Sequence, residues 1–272
     1  MDCHIGKGNA VSGWPFLAQS GTVVGMCGRA TVVNPDGITE KVYGFTRKFV
    51  PSDWKPRYNL NPRETIPTVY YDPFLRERVL RTMHWNLIPS KLESRERVDA
   101  FDAQYSTFNA RIETVASAPT FQDSWRSRRC LVVVDGIIEW VGEKGRKVPH
   151  LIRQRDRAPF AMAGLWSHWR GKSEDDDVWS CTVIVRDADH WYSRFHNRMA
   201  VLLDPGIYDG WLDPQQKNGQ LELLSSTPYH KEDELEFFPI SRRVNNPRYD
   251  SADCLEPDAV DASALLRTHP TA

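Results

Sequence analysis

The chain has 272 residues and a formal net charge of −1, a length that suits one large domain or two small ones. Hydrophobic residues make up 40% of it and ten residues are Trp, a composition that excludes a chain disordered throughout. The five scattered cysteines form no Cys-x-x-Cys pair, and no apolar run reaches the ~20 residues of a membrane helix. These features argue against a zinc ribbon, a disulfide framework and a membrane span, and they favour a reducing cytosol.

Charge is distributed unevenly along the chain. Acidic residues concentrate at 174–177 and from 250 onward, so the remainder of the chain is net basic. A basic body with an acidic loop and tail is compatible with phosphate binding, although many solvated surfaces share this pattern. Residues 1–26 lack the basic start and uninterrupted apolar run of a signal peptide.

The hydrophobic pattern predicts more strands than helices. Pro119 and Pro205 each suit the first turn of a helix. The predicted elements, in chain order, are a helix at 38–49, strands at 66–71 and 79–85, a helix at 119–128, strands at 130–134, 150–153, 160–166, 178–185 and 199–203, helices at 205–212 and, more weakly, 219–225, and a strand at 235–240.

No regular alternation of strands and helices is present, so we expect an α+β fold. It should be a single domain with a mixed, largely antiparallel, barrel-like β-sheet flanked by short helices. We place that domain at residues 26–257. Residues 1–25 are expected to be an extension that is disordered or absent from the mature protein, and residues 258–272 a flexible tail.

Cys27 stands in Met-Cys-Gly-Arg at 26–29, four residues typical of the start of a chain. If translation begins at Met26 and that Met is removed, Cys27 carries an α-amine and a thiol on adjacent carbons. Such a pair condenses with an aldehyde, first to an imine and then to a five-membered thiazolidine. An internal Cys27 has only its thiol, so the predicted chemistry depends on the fate of the residues before it.

Five further motifs accompany Cys27. They are Tyr-Asn-Leu-Asn-Pro at 58–62, Asn-Ala-Arg-Ile-Glu at 109–113, Asp-Gly-Ile-Ile-Glu-Trp at 135–140, His-Asn-Arg-Met at 196–199, and Val-Asn-Asn-Pro at 244–247 followed by Leu-Glu-Pro at 255–257. Each is weak alone, but the set in this order is specific.

Together the motifs resemble the SRAP family (SOS response-associated peptidase), whose members shield abasic sites in single-stranded DNA. The resemblance covers residues 26–257. It implies a covalent DNA–protein link through Cys27, with Asn109, Glu139 and His196 as the other catalytic residues. Single-stranded DNA with abasic sites is the implied partner. No cofactor, metal or membrane is implied, and we expect a cytoplasmic monomer that joins the nucleoid when bound to damaged DNA.

The residue chemistry is consistent with these roles. An α-amine with a pKa of about 7.7–8.0 is partly neutral at cellular pH and attacks aldehydes. Glu139 would carry protons as the imine forms and reverses, and His196 would move a proton to or from the opening sugar. Asn109 does not titrate, so it would orient the sugar or Cys27 by hydrogen bonds.

Other residues suit DNA binding. Arg29, Arg111 and Arg198 can each place a guanidinium fork on phosphate oxygens. Trp85 or Trp140 would stack on bases next to the lesion.

Two rival functions remain open. One is a cysteine peptidase or autoprocessing enzyme that uses Cys27 with His196 and Glu139. The other is a non-catalytic module that binds single-stranded DNA and whose cysteine is idle. Taken singly, each of these residues more often has a structural role; a lone cysteine, for example, is usually a small buried hydrophobe.

The chain departs from the family pattern at three positions. Asn86 replaces a glycine, Ala200 a proline and Arg186 a threonine. We expect Asn86 to be tolerated even at a positive φ, because Asn adopts that conformation more easily than most residues. The residues before Met26 are a fourth departure: either translation starts at Met26, which we favour, or the segment is made and then cleaved.

Overall fold

The structure is a computed structural model, and it describes residues 28–258 apart from 144, 228 and 230. Within these residues the strands are β1 (Ala30–Val32), β2 (Arg47–Phe49), β3 (Arg57–Leu60), β4 (Thr65–Asp72), β5 (Glu77–Trp85), β6 (Asn109–Arg111), β7 (Arg129–Val134), β8 (Gly136–Val141), β9 (Val148–Gln154), β10 (Phe160–Trp169), β11 (Val178–Asp187), β12 (Arg198–Ala200), β13 (Leu202–Leu203) and β14 (Leu235–Pro239). The helices are α1 (Glu40–Tyr43), α2 (Arg95–Gln104), α3 (Ile112–Val115), α4 (Gln122–Ser127), α5 (Tyr208–Leu212) and α6 (Asn218–Ser226).

The strands form two sheets, and one of them closes on itself. In the larger sheet the order β11-β10-β7-β4-β5 is completed by a parallel pairing of β5 with β11, so these five strands make a barrel. The other pairs around this ring are antiparallel. The smaller sheet has the order β14-β9-β8-β1-β3 and is antiparallel throughout. The expected α+β fold with a mixed, largely antiparallel, barrel-like sheet is therefore confirmed.

Two of the barrel strands, β7 and β10, are buried on both faces. In β10 nine of ten residues are buried, and the six residues of β7 are all buried. Their side chains form one large hydrophobic core with those of β4, β5 and β11. All eight predicted strands occur, and the one predicted at 199–203 is divided between β12 and β13.

The helix predicted at 38–49 is wrong over most of its length. The hydroxyl of Thr39 accepts the amide of Val42 at the start of α1, and Gly44 ends the helix four residues later at φ 67°. The chain then leaves as β2 and pairs with β5. The pattern of apolar residues here comes from a helix and a strand in succession, which together resemble one longer helix.

The longest helix, α2, was not predicted. Ser94 caps it by accepting the amide of Arg97, but Val98 is its sole buried residue. A helix that buries so few residues has no clear recurrence of apolar residues every three to four positions. Because a helix is predicted from that recurrence, α2 could not be recognised in the sequence.

The motifs that carry the candidate site residues lie on strands of both sheets. Strand β6, with the Asn109 motif, runs parallel to the end of β11. Strand β12, which begins two residues after His196, pairs with the same end of β11. Strand β8, with Glu139, belongs to the smaller sheet. The candidate site is thus assembled from both sheets.

Candidate active site

Cys27 lies outside the described residues, which begin at Gly28. Its role as an N-terminal nucleophile stays a prediction. The predicted extension at 1–25 lies outside them as well, as does all of the predicted tail except Asp258. What the structure does describe is the chain that follows Cys27 and the groups packed around it.

Arg29 holds the chain in place as it enters β1. Its Nη1 donates to Asn59 Oδ1 at 2.6 Å and to the carbonyl oxygen of Val244 at 2.7 Å. Its Cζ lies 5.2 Å from the centroid of the Trp140 ring, and its carbonyl oxygen accepts the amide of Ile138 at 3.0 Å. Burial lowers the pKa of the guanidinium. Arg29 was predicted to clamp phosphate; in the structure its Nη1 is bonded to the protein.

Asn59 explains why two distant motifs occur together. Its side chain is fully buried, and Nδ2 donates to the carbonyl oxygens of Val244 (3.2 Å), Asn246 (3.1 Å) and Tyr249 (2.8 Å). The asparagine of the 58–62 motif therefore binds the backbone of the 244–247 motif, and both contact Arg29.

Asp135 and Gly136 fix the other side of β1. The carboxylate of Asp135 accepts the hydroxyl of Thr31 at 2.5 Å and the amides of Val33 and Asn34 at 2.5 and 2.6 Å, and burial raises its pKa. A Cβ on Gly136 would lie 2.6 Å from the same Thr31 hydroxyl. This Asp-Gly pair thus holds β1 against β8 where no larger residue fits.

Glu139 is 2% exposed on β8, directly opposite His150 of β9. The hydroxyl of Tyr192 donates to its Oε1 at 2.8 Å. Tyr192 is itself buried and packs edge-on against Phe195 at 5.5 Å. A deeply buried carboxylate with a phenol donor is suited to proton transfer.

His196 follows Tyr192 by one turn of the chain, and its amide donates to the Tyr192 carbonyl oxygen at 3.4 Å. Its Nδ1 accepts the amide of Arg198 at 3.0 Å, so in the neutral ring the proton is on Nε2. Burial, with a further contribution from the charge of Lys147, lowers the pKa of His196 below its usual value. At neutral pH the ring is therefore an uncharged hydrogen-bond donor at Nε2.

Arg198 is 4% exposed, and both of its terminal nitrogens are bonded to protein oxygens. Nη1 donates to Glu113 Oε1 and Asp187 Oδ1, both at 2.6 Å, and Nη2 donates to Glu113 Oε2 at 2.8 Å and to the Val185 carbonyl oxygen at 3.0 Å. The glutamate of the 109–113 motif thus binds the arginine of the 196–199 motif. A guanidinium held in this way joins β11, β12 and α3, the helix that directly follows β6, and it would have to give up these bonds to bind phosphate.

Asn109 and Arg111 lie on β6, where Asn109 is level with Val183 of β11. Asn109 is half-buried, whereas the side chain of Arg111 is 62% exposed and lies 3.7 Å from Glu113. Of the three arginines predicted to bind phosphate, Arg111 is the most accessible to a DNA strand.

Asn86, one of the departures from the family pattern, pins the segment that leads to β6. Its Oδ1 accepts the amide and hydroxyl of Thr107 at 2.6 and 3.0 Å, and its Nδ2 donates to Asp102 and to the Tyr105 carbonyl oxygen at 2.7 and 3.0 Å. Asn86 is not among the described residues with positive φ. Its amide therefore has a bonding role, and the tolerance of asparagine for that conformation is not what explains it.

The other two departures are also accommodated within the fold. Arg186 donates to Asp189 at 2.5 Å, at the start of the loop that leads to His196, and both side chains are largely buried. It is thus paired with the protein and does not offer a free charge. Ala200 is buried in β12 and pairs with Val185.

The two tryptophans proposed for base stacking occupy different environments. Trp85 is 1% exposed; its Nε1 donates to the Phe108 carbonyl oxygen and its ring packs edge-on against that of Phe108. This ring is part of the core and would have to leave it to stack on a base. Trp140 is half-buried beside Arg29, with its Nε1 bonded to Asn245 at 2.7 Å. Of the two, Trp140 is the one placed at the site.

One chain of contacts therefore joins three of the predicted catalytic segments. It runs from Glu139 through Tyr192 to His196, and from there through Arg198 to the motif of Asn109. Tyr192 was missed by the sequence analysis. Its position four residues before His196 is the one local signal that it shares a turn with that residue.

The described part of the chain offers neither a metal site nor a membrane helix. Between residues 28 and 258, as far as they are described, no group of His, Cys, Asp and Glu could hold a metal ion. None of the helices described is long and apolar enough to span a membrane.

Comparison with known proteins identifies a family. The model of the SOS response associated peptidase (SRAP) family matches residues 26–247. Abasic site processing protein YoaM of Bacillus subtilis is 30% identical over 235 residues, which cover 85% of this chain and 98% of YoaM. Abasic site processing protein HMCES of Gallus gallus is 28% identical over 230 residues, 75% of this chain and 67% of HMCES.

Solved structures agree on the fold. A protein from Bordetella bronchiseptica superposes with a TM-score of 0.64 at 24% identity, over 79% of this chain and all of that one. A protein from Bacteroides thetaiotaomicron gives a TM-score of 0.65 at 21% identity, over 76% of this chain and 88% of the other. With its motifs joined by contacts and matched by the family model over most of its length, the chain belongs to the SOS response associated peptidase (SRAP) family.

Proposed function

We propose that this protein recognises abasic sites in single-stranded DNA and binds them covalently through an N-terminal Cys27 as a thiazolidine. Its relatives YoaM and HMCES are named as abasic site processing proteins, which supports the substrate. The observation that carries the proposal is the hydrogen bond between the buried side chains of Glu139 and Tyr192. The turn from Tyr192 to His196 connects this pair to the neutral imidazole of His196.

The first step is formation of an imine. The ring-opened abasic sugar presents an aldehyde, and the α-amine of Cys27 adds to its carbon to give a carbinolamine. Loss of the hydroxyl group as water leaves the imine. Glu139 is the group we assign to carry the proton from nitrogen to the leaving oxygen.

The second step closes the ring. The sulfur of Cys27 adds to the imine carbon and its proton passes to the nitrogen, so the whole reaction releases one water. We assign His196 to donate a hydrogen bond from Nε2 to the sugar oxygen as the sugar opens. Its lowered pKa supports a neutral donor at physiological pH. Asn109 is assigned to orient the sugar.

DNA would be held by groups around this centre. Arg111, with an exposed guanidinium beside Glu113, is assigned to the phosphate backbone. Trp140, with the charge of Arg29 over its ring, is assigned to stack on a neighbouring base. Arg198 is assigned to position β6 and the His196 turn from within the protein.

A crosslinking assay tests the proposal. The chain begun at Cys27 is incubated with single-stranded DNA carrying one abasic site and run on a denaturing gel. We expect a shifted band that is absent for Cys27→Ala and for DNA pretreated with borohydride, which removes the aldehyde. Cys27→Ser keeps the amine and should give only a reversible imine, trapped when borohydride is added during the reaction.

Two outcomes would favour the rival functions. DNA binding without any covalent band points to a non-catalytic module. A protein made from Met1 whose intact mass shows cleavage before Cys27, lost in His196→Ala, points to autoprocessing.

A further inference from the structure

A cavity of about 870 Å³ opens beside the candidate site, and Asn109 is one of its lining residues. It lies between α2, α4, the segment at 89–93 and the segment at 105–107 that Asn86 holds. Its volume is in the range of sites that bind small organic ligands. No role described above uses this space.

Two residues that line the cavity have side-chain atoms without a hydrogen-bond partner in the described chain, although the charge of Arg128 interacts with that of Asp123. Arg128 is half-buried, and among the described residues its side chain has no hydrogen-bond partner; its Nε is buried. The hydroxyl of Ser167, on a residue 1% exposed, is likewise without a partner in the described part of the chain. A buried Nε without an acceptor also occurs at other arginines, such as Arg198, but there the terminal nitrogens are bonded to protein. At Arg128 no part of the guanidinium has a hydrogen-bond acceptor in the described chain, which points to an acceptor that a ligand supplies.

The walls of the cavity are aromatic and apolar. Phe101 and Tyr105 pack with their ring centroids 4.8 Å apart, and both line the cavity together with Phe121 and Leu92. These surfaces suit a flat ring that stacks or packs edge-on.

The charges argue for a neutral ligand. Lys91, Arg97 and Arg128 line the cavity together with Glu93 and Asp123, and the Lys91 ammonium is bonded to the Asp123 carboxylate at 2.7 Å, so the formal charges of the lining nearly cancel. A flat ring that offers two adjacent acceptors to an arginine fork is guanine, through O6 and N7.

We propose that this cavity binds a guanine base next to the abasic sugar and gives the protein a sequence preference. The proposal rests on the proposed function, because Asn109 connects the cavity to the abasic site. Arg128 makes the specific contact, and the aromatic wall holds the ring.

Binding to a stable analogue tests the preference without the covalent step. Single-stranded oligonucleotides carry one tetrahydrofuran residue, which has no aldehyde, flanked on both sides by G, A, C or T. Dissociation constants are measured by fluorescence anisotropy with the chain begun at Cys27 and, in parallel, with the chain from Met1. We expect guanine to bind about tenfold more tightly than the other bases, the size of one good bidentate contact.

Variants assign the preference to Arg128. Arg128→Met should abolish the guanine preference. Arg128→Lys keeps the charge and should keep the general affinity for DNA, but it should lose most of the guanine preference because lysine has no forked guanidinium. Arg126→Met is the matched control: it removes an equal charge from an exposed position of α4 that does not line the cavity, and the preference should remain. Thermal melting shows that each variant is folded.

Three results would overturn the proposal: equal affinities for the four flanking bases, a guanine preference that survives Arg128→Met, or deoxyribose 5-phosphate competing as well as dGMP. Failure of the proposed function would look different. In that case no flanking base would give a covalent band with a true abasic site, while anisotropy would still report on the cavity.

Discussion

A carboxylate as deeply buried as that of Glu139 requires hydrogen-bond donors, because a protein interior strongly disfavours an ionised group without them. The phenol of Tyr192 supplies one at 2.8 Å. Tyr192 also carries the turn that leads to His196, so the two residues to which we assign proton transfer share a support. This arrangement makes Tyr192 a positioning residue for both.

Removing the carboxylate should separate catalysis from binding. Glu139→Gln is nearly isosteric, and we expect crosslinking to slow by about 100-fold while the dissociation constant for DNA changes less than twofold. Tyr192→Phe should slow crosslinking less, since the carboxylate remains. Rates come from quenched gel time courses.

Glu143→Gln is the control, an exposed carboxylate in the turn after β8. Equal losses of rate and affinity in Glu139→Gln would remove Glu139 from the chemistry.

His196 should make stability depend on pH. Burial lowers its pKa in the folded protein below the value of about 6.5 in the unfolded chain, so between these values the unfolded chain binds more protons. The stabilisation is present above pH 6.5 and is lost as the pH falls through the folded pKa. Protonation would also turn Nδ1, which accepts the Arg198 amide, into a donor facing a donor.

We therefore expect the free energy of unfolding to fall more steeply between pH 7.5 and pH 5.5 in the wild type than in His196→Gln. Urea denaturation at several pH values measures it. Parallel curves for the two proteins would show that His196 does not titrate in this way.

At the level of elements, the candidate site depends on strands that are too short to be stable without neighbouring strands. β6 and β12 have three residues each, and both are held against the end of β11. Arg198 supplements their few backbone bonds by binding Glu113 after β6 and Asp187 at the end of β11. Its fork is what a lysine could not reproduce.

Arg198→Met should lower the free energy of unfolding by about 2 kcal/mol, because it removes the ion pairs with Glu113 and Asp187. The loss is limited to this size because the two carboxylates left without a partner are partly or largely exposed and become solvated. The melting temperature should fall by roughly 4–8 °C. Arg111→Met, on the same strand as Asn109 but exposed, should change stability by less than about 0.5 kcal/mol.

Scanning calorimetry compares the two variants. Equal melting temperatures for Arg198→Met and the wild type would mean that Arg198 is free to bind DNA.

For the whole molecule, segments that are far apart in the sequence meet at the chain that follows Cys27. Arg29 bonds to β3, β8 and the segment at 244–246, which are far apart in sequence. Asp135 holds the next residues of β1. The fold thereby sets where the chain emerges relative to Glu139, whatever residue precedes Cys27.

The N-terminal amine should then act as a switch for the covalent reaction. We expect the chain begun at Cys27 to crosslink abasic DNA and the uncleaved chain from Met1 to give no thiazolidine, because its Cys27 nitrogen is an amide. Intact-mass measurement of each protein before the assay identifies its first residue. A stable crosslink from a chain that still begins at Met1 would refute the aminothiol mechanism.

Much of the fold was predictable from local pattern. The barrel strands contain long runs of apolar residues, so β4, β5, β7, β10 and β11 were expected close to their observed positions. Strands β1, β2, β3, β6 and β8 were not predicted, because several of their residues form contacts with distant parts of the chain and do not follow a local apolar pattern. Asn59 and Asp135 are examples: each serves backbone groups that a reader of the sequence cannot identify.

The chemistry proposed for the site was predicted from residue types in a recognisable order, since an aminothiol, a carboxylate and an imidazole react according to their own atoms. Their surroundings depend on contacts between residues far apart in the chain. Tyr192 and Glu139 are separated by 53 residues, and Arg29 and Val244 by 215. Only folding brought them together, and so only the tertiary structure showed that Trp85 is core, that Arg198 binds carboxylates and that Arg128 lines a cavity without a hydrogen-bond partner in the described chain.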